Sequence, residues 1–303
     1  MKSPMKFPFY PPEFATEWCR SLGVNPNTLE SLQGGINNEV FSCGTGDHSF
    51  VLKGYAKDSV EKHNRFEAEV EFLRYAQLVA PEFVPRLLYK DDVSRSLVLE
   101  YLEGDRFQDG VHPSEGYIGQ ALTFMLSLNA DLELAKREIQ GNAAESFLRI
   151  SEHLLNIEQR IEQMGSEHIP QCLKIDVERI ILRLKRQLGA LQEQTMELIS
   201  RGYCEDMLEP EKLCISPSDF GFHNAIHRAG KVRFFDFEFA GWDDPAKAIV
   251  DFDLQPRVPV EFKNNVLRKG LPHHYSGLRA RCRALLPILR LKWACIILAP
   301  LDP

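Results

Sequence analysis

Over the first hundred positions apolar and polar residues alternate in short runs, and beyond them the period lengthens to that of helices. A short helix is expected over Pro12–Leu22, where Phe14, Trp18 and Leu22 share one face. Glycine-broken runs follow, and Thr28–Gln33, Val40–Cys43 and Ser49–Gly54 read as strands. The turns between them are Gly34-Gly35-Ile36-Asn37-Asn38 and Gly44-Thr45-Gly46-Asp47. From Ser59 to Gln77 the period changes: Phe66, Val70, Leu73 and Ala76 recur at three- and four-residue spacing, as on an amphipathic helix. Arg86–Lys90 and Ser96–Tyr101 read as two further strands. The first part is thus a five-stranded sheet with one main helix.

Past Glu100-Tyr101-Leu102-Glu103-Gly104 the chain becomes mainly helical, over Pro113–Leu134, Ala143–Met164, Gln171–Arg201 and the strongly apolar Leu278–Leu298. This places a boundary between residues 1–103 and 104–303. Within the second part Val232, Phe234 and Phe235 read as a buried strand. The preceding AIHRAGK supplies an Ala-Gly turn between two short apolar runs, so a hairpin is expected there.

Composition narrows the classes. The net charge of −7 argues against nucleic acid as a partner. No apolar run approaches the roughly 20 residues of a membrane span, and MKSPMKFPFYPP lacks the apolar core of a signal peptide. The seven cysteines are scattered without a CxxC, which suits reduced packing thiols and a cytoplasmic location.

The candidate chemistry is concentrated in SPSDFGFHNAIHRAGKVRFFDFEFAG, Ser216–Gly241. Asp219 is followed five positions on by Asn224, and Asp236 ends the predicted second strand of the hairpin. The hairpin would return Asp236 beside the other two. Phosphoryl transfer needs such a set: one carboxylate to receive the acceptor hydroxyl's proton, and an amide with a second carboxylate to hold Mg²⁺ against the phosphates. Asp219-Phe220-Gly221 has the spelling of the protein-kinase metal loop, but the D-x-x-x-x-N that should precede such a loop is missing upstream. Asp219 instead has its own Asn224, so the spelling is coincidental.

Lys53 stands on the third predicted strand. A lysine at a sheet edge commonly reaches into water, but the next helix offers Glu69 as a partner, with Phe72 and Leu73 anchoring that helical face. Glu67 and Glu71 are rivals: Glu67 has a charged Glu71 four residues on, and Glu71 falls on the outer side. A Lys53–Glu69 pair would present the lysine to phosphates. Gly34, Gly35, Ile36, Asn37 and Asn38 form either a plain hairpin turn or, before a strand-borne lysine, a backbone cradle for phosphate oxygens. No Walker A loop, Rossmann fingerprint, H-E-x-x-H, G-x-S-x-G or zinc pattern is present.

SDFGFHN…FFDFEFAGWDDP resembles the H-G-D-x-x-x-x-N…D-(W/F)-E-x-A-G-x-x-D-P pattern of the aminoglycoside phosphotransferase and choline kinase superfamily, over a stretch from Leu32 to about Asp251. The resemblance implies an α+β, bilobal, protein-kinase-like fold, with a five-stranded antiparallel N-lobe and a mostly helical C-lobe. It implies an enzyme that uses ATP and Mg²⁺ to phosphorylate a small molecule. It implies Asp219 as the catalytic base or hydroxyl-orienting group, and Asn224 and Asp236 as metal ligands. Lys53 with Glu69 would position the phosphates, and backbone groups of Glu100 and Leu102 would meet adenine. Glu238 matches the glutamate of the choline kinase D-F-E and would bind metal or substrate. One departure stands out: Pro217 occupies the place of the histidine two residues before the catalytic aspartate, which puts the loop's support in question.

The acceptor is less legible. Glu238, Asp243 and Asp244, with Phe239 and Trp242, would suit a cationic amino alcohol or amino sugar, although aromatics at such positions also serve as core. APEFVPRL is similar to the sugar kinases that phosphorylate methylthioribose, which keeps a neutral sugar open. His223 reads as a loop-packing residue and His273-His274 as solvent-facing. A nucleotide-binding pseudokinase is the alternative class. Protein substrates fit less well, because no activation loop follows Asp236.

Overall fold

The computed structural model describes residues 12–32, 38–46, 48–56, 63–165, 171–260 and 277–298. Strands β1 (Glu30–Ser31), β2 (Asn38–Thr45), β3 (His48–Tyr55), β4 (Leu87–Asp91) and β5 (Ser96–Glu100) form one sheet in the order β1-β2-β3-β5-β4. Every pairing is antiparallel. The strand expected over Thr28–Gln33 shrinks to two residues because Asn25 caps a single 3₁₀ turn over Pro26–Thr28, its Oδ1 accepting from Asn27 N at 3.0 Å.

Period-two alternation sends neighbouring side chains to opposite faces of this sheet. Leu52 and Val98 join Phe41 and Cys43 under helix α1 (Glu13–Ser21), whereas Leu97 and Leu99 pack on the cluster built around α2 (Arg65–Val79). Helix α2 starts after Asn64, whose side chain accepts from Glu67 N. Its buried stripe runs Phe66, Glu69, Val70, Leu73, Ala76, so one carboxylate lies in an otherwise apolar row.

The second lobe carries α3 (Glu115–Leu128), α4 (Leu132–Glu138), α5 (Ile150–Gln163), α6 (Lys174–Ser200), α7 (Pro245–Leu254) and α8 (Leu278–Ile297). The helix expected over Pro113–Leu134 is two helices. Asn129 leaves the first to bond Met125 O and both backbone groups of Ile215, and Asp131 caps the second through Leu134 N. The helix expected from Ala143 starts only at Ile150. Residues 141–143 lie instead against β10 (Gly241–Asp243), which pairs with β7 (Cys214–Ser216). That approach requires Gly241: at φ 154°, a Cβ there would stand 2.6 Å from Ala143 N. Helix α7 was not anticipated, although Asp244 caps it through Ala246 N and Pro245 opens it. Among the described residues no helix is long and apolar enough to cross a membrane.

Phe124 of α3 is the joint between the lobes. Its ring stacks on Phe234 at 5.3 Å and meets Phe83 at 5.5 Å, Phe220 at 5.9 Å, Phe237 at 6.3 Å and Phe72 at 6.5 Å. Phe124→Ala is expected to lower stability by about 3–5 kcal/mol, read as the urea midpoint at unchanged slope.

A second stability test concerns His153 of α5, which is buried beside Phe147. Burial and the charges of Lys292, Lys247 and Arg281 hold its imidazole well below the usual histidine range. A histidine depressed in the folded state favours folding above its unfolded pKa, and that contribution falls as pH drops below about 6.5, by up to about 1.4 kcal/mol per pH unit. His153→Gln should therefore flatten the loss of stability between about pH 6.5 and 5; parallel curves for the two proteins would contradict it.

Candidate active site

The hairpin of β8 (Ala225–Arg228), which also pairs with β6 (Asp105–Arg106), and β9 (Lys231–Phe234) closes through Ala229 and Gly230, both at positive φ (49° and 77°), the geometry of a two-residue hairpin turn. Its pairing Ala225↔Phe234 is continued by Phe235 N donating to Asn224 O at 3.0 Å. The hairpin thereby places Asn224 next to Phe235-Asp236. On its other side Asn224 Nδ2 donates to Asp219 O at 3.2 Å and to Asp219 Oδ2 at 3.3 Å. Asn224 is thus tied to Asp219 through its side chain and to Phe235, the neighbour of Asp236, through its backbone.

Lys53 meets this group from the sheet. Its Nζ lies 2.6 Å from Glu69 Oε2, 2.5 Å from Asp236 Oδ1 and 3.4 Å from Glu238 Oε2. Burial would push the ammonium down, but Asp236 and Glu69 outweigh it and hold Lys53 well above the usual lysine value. Glu69 is also bound by Tyr55 OH, and its Oε1 accepts from Phe237 N at 3.3 Å. One carboxylate on α2 therefore ties the sheet lysine to the backbone just past Asp236. Asp236 itself sits in the left-handed region at φ 68°.

Glu238 faces the N-lobe. Asn38 Nδ2 donates to its Oε2, Arg65 Nη1 lies 3.7 Å from Oε1, and His63 Nε2 lies 2.8 Å from its backbone oxygen. Burial raises its carboxyl; Lys53 opposes this, and the neighbouring Asp236 and Glu69 add to it. Ligand oxygens of Glu69, Asp236 and Glu238 fall within 4.8 Å of one another, a spacing that suits a hard cation.

Asp219 is a second centre. Burial would raise its pKa, yet His223, with Nε2 3.2 Å from Oδ1, and Asn224 hold it below the ordinary aspartate value. His223 is buried in this loop with its ring against the Asp219 carboxylate. Phe220 belongs to the aromatic core, stacking on Phe252 at 5.3 Å, and it is Asp236, not Asp219, that lies at Lys53.

The remaining candidates are placed as follows. Glu100 ends β5; its carboxylate takes both Arg233 nitrogens, at 2.7 and 2.8 Å, and its N–H donates to Arg86 O. Leu102 is buried in the segment between the lobes. A cavity of about 600 Å³ lies at this segment, lined among others by Arg86, Glu100, Leu102, Arg228 and Arg233, and none of the carboxylates around Lys53 borders it. Trp242 is half-buried; its Nε1 donates to Ile139 O at 3.0 Å, and Phe239 carries Arg65 over its ring at 5.0 Å. Both aromatics are thus engaged within the fold. Gly34, Gly35, Ile36 and Asn37 lie outside the described residues, as do His273 and His274.

The sequence reading missed Tyr55, His63 and Arg65. Tyr55 falls two residues after Lys53, on the same face of β3, and that period was the available signal. His63 and Arg65 reach Glu238 across the lobes, which no local pattern announces.

The family model described as the phosphotransferase enzyme family matches residues 28–252. No curated protein matches the chain in sequence. Among solved structures, the gentamicin complex of APH(2")-IIa is 15% identical, with a TM-score of 0.62 over 97% of this chain and 92% of that one. A spectinomycin phosphotransferase with ADP and spectinomycin is 10% identical, at 0.61 over 97% and 89%. Choline kinase from Cryptosporidium parvum is 14% identical, at 0.54 over 95% and 89%. At these identities the likeness is one of fold, and the fold is protein-kinase-like.

Proposed function

The chain belongs to the phosphotransferase enzyme family, and from that premise we propose that it moves the γ-phosphoryl group of ATP to a hydroxyl of a small molecule, with Mg²⁺. Residues 1–103 form the nucleotide-binding lobe, and residues 104–303 carry the catalytic loop and the acceptor pocket. The observation that carries the reading is the position of Lys53 Nζ, 2.6 Å from Glu69 and 2.5 Å from Asp236. A buried ammonium is fixed between a helix carboxylate and the carboxylate that the hairpin returns beside Asn224.

Each residue's part follows from its donors. Lys53, braced by Glu69 and Tyr55, presents a cation where phosphate oxygens arrive. Asn224 and Asp236 offer the hard oxygen ligands that suit Mg²⁺, and Glu238 stands close enough to Asp236 to join them. When bound, the ion neutralises charge on the phosphates. Asp219, kept ionised by His223 and Asn224, orients the acceptor hydroxyl and takes its proton. Backbone groups of Glu100 and Leu102 meet the adenine edge, and Gly34–Asn38 covers the phosphates. An amino alcohol, an aminoglycoside or a sugar fits as acceptor. Glu238 and Trp242 are the candidate contacts to the acceptor, Trp242 with its Nε1 already given to Ile139 O.

The test is ADP release from ATP with and without Mg²⁺, across amino alcohols, aminoglycosides, free sugars and nucleosides. Mg²⁺-dependent turnover with one class is expected. ATP bound without turnover on any acceptor would favour the inactive nucleotide-binding alternative, and absence of ATP binding would remove both.

A further inference from the structure

The loop that ends in Asp219 is held by side chains. Strand β7 stops at Ser216, Pro217 has no N–H to give, and Ser218 sits at φ 65°, a conformation that favours glycine. Ser218 N donates to Ser216 Oγ at 3.0 Å, and Ser218 Oγ donates to Ala144 O at 3.4 Å. The same Oγ accepts from Lys247 Nζ at 3.2 Å. The directions agree, since an ammonium only donates and a hydroxyl can accept one hydrogen bond while giving another.

Lys247 lies on α7 and is 1% exposed. Its Nζ is 2.7 Å from Asp243 Oδ2 and 3.8 Å from Asp251 Oδ2. Asp251 is fixed in turn by Lys292 at 3.0 Å and by Trp293 Nε1 at 3.0 Å. Asp243 stands on β10 opposite Cys214 of β7, the strand that leads into the loop. The ammonium is therefore held on a rigid frame with one contact extended into the loop.

We propose that Lys247 is a positioning residue for Asp219, holding Ser218 and thereby the backbone that aims the aspartate. This inference rests on the phosphotransfer reading above. Asp243 is the one carboxylate within hydrogen-bond distance of this ammonium; its other hydrogen bond goes to Ser218, the residue next to Asp219. Pro217 can give no N–H to the loop, and the neighbouring helix supplies the contact through Lys247.

Lys247→Met would leave Asp243 buried without its cation and can fail by unfolding. The deciding variant is therefore Ser218→Ala, which keeps the ion network and the backbone preference. Two readouts are taken: hydrogen exchange of a peptide covering 216–224, and the kinetics of ATP turnover with the best acceptor of the panel. The expected result is exchange faster by about tenfold in that peptide alone, with kcat down about tenfold and the KM for ATP unchanged. Wild-type exchange in the loop, or unchanged kcat, would overturn the proposal, because a loop held through Ser218 Oγ cannot lose that atom without loosening. If the wild-type protein turned over no acceptor, the phosphotransfer reading would fail. The exchange readout would then still decide whether this contact holds the loop.

Discussion

Asp219→Asn is expected to lower kcat by about 10²–10⁴-fold while leaving the KM for ATP within about twofold. The variant keeps the shape of the side chain, and its amide oxygen can still accept from Asn224, so the loop should hold. What it loses is the negative charge that His223 and Asn224 preserve against burial, and with it the group that takes the acceptor's proton. Because Asp219 has no contact with Lys53 or Glu69, ATP binding should be spared. Steady-state kinetics with varied ATP separate the two constants. A large rise in KM for ATP with unchanged kcat would move Asp219 out of the transfer step and into nucleotide binding.

Lys53→Met should damage binding and stability together. Without the ammonium, the ligand oxygens of Glu69, Asp236 and Glu238 remain within 4.8 Å of one another, and Tyr55 is left facing a carboxylate that no cation balances. Removing one partner of a buried ion pair typically costs about 3–5 kcal/mol, and the lost phosphate contact should lower kcat/KM for ATP on the order of 10²–10³-fold. A further consequence separates this from ordinary core damage: Mg²⁺ alone should raise the Tm of the variant more than that of the wild type, since the ion would replace the missing positive charge. Thermal melts with and without Mg²⁺ read this directly. An equal shift in both proteins would mean that the three carboxylates do not act as one cluster.

Much of this arrangement could be read before the structure, for physical reasons that differ from residue to residue. The hairpin was legible because Ala229-Gly230 must supply two positive φ angles between apolar runs. Glu69 was legible because Phe72 and Leu73, next to follow on its face of the helix, turn that face inward, where a carboxylate needs a cation. The α+β organisation followed from the change of period along the chain. The misses share a different cause. Periodicity runs on through Leu126, Leu128, Leu132 and Leu134, so it hides the break that Asn129 and Asp131 impose through their own hydrogen bonds. Asp244-Pro245 was read for its motif and not for the helix it caps. Tyr55 meets Glu69 on α2 and Lys247 meets Ser218 in a separate loop, and a sequence shows residue types without showing which of them meet. The acceptor pocket was the least legible part, because its shape depends on how several helices pack and no short motif marks it.

The most direct measurement is ³¹P NMR of ATP, Mg²⁺ and the pooled acceptors with the wild-type protein and with Asp219→Asn. The account predicts a new phosphomonoester resonance growing at the expense of the ATP γ-signal with the wild type, and essentially none with the variant. ATP left intact by the wild type, or a phosphomonoester formed equally fast by both proteins, would contradict it.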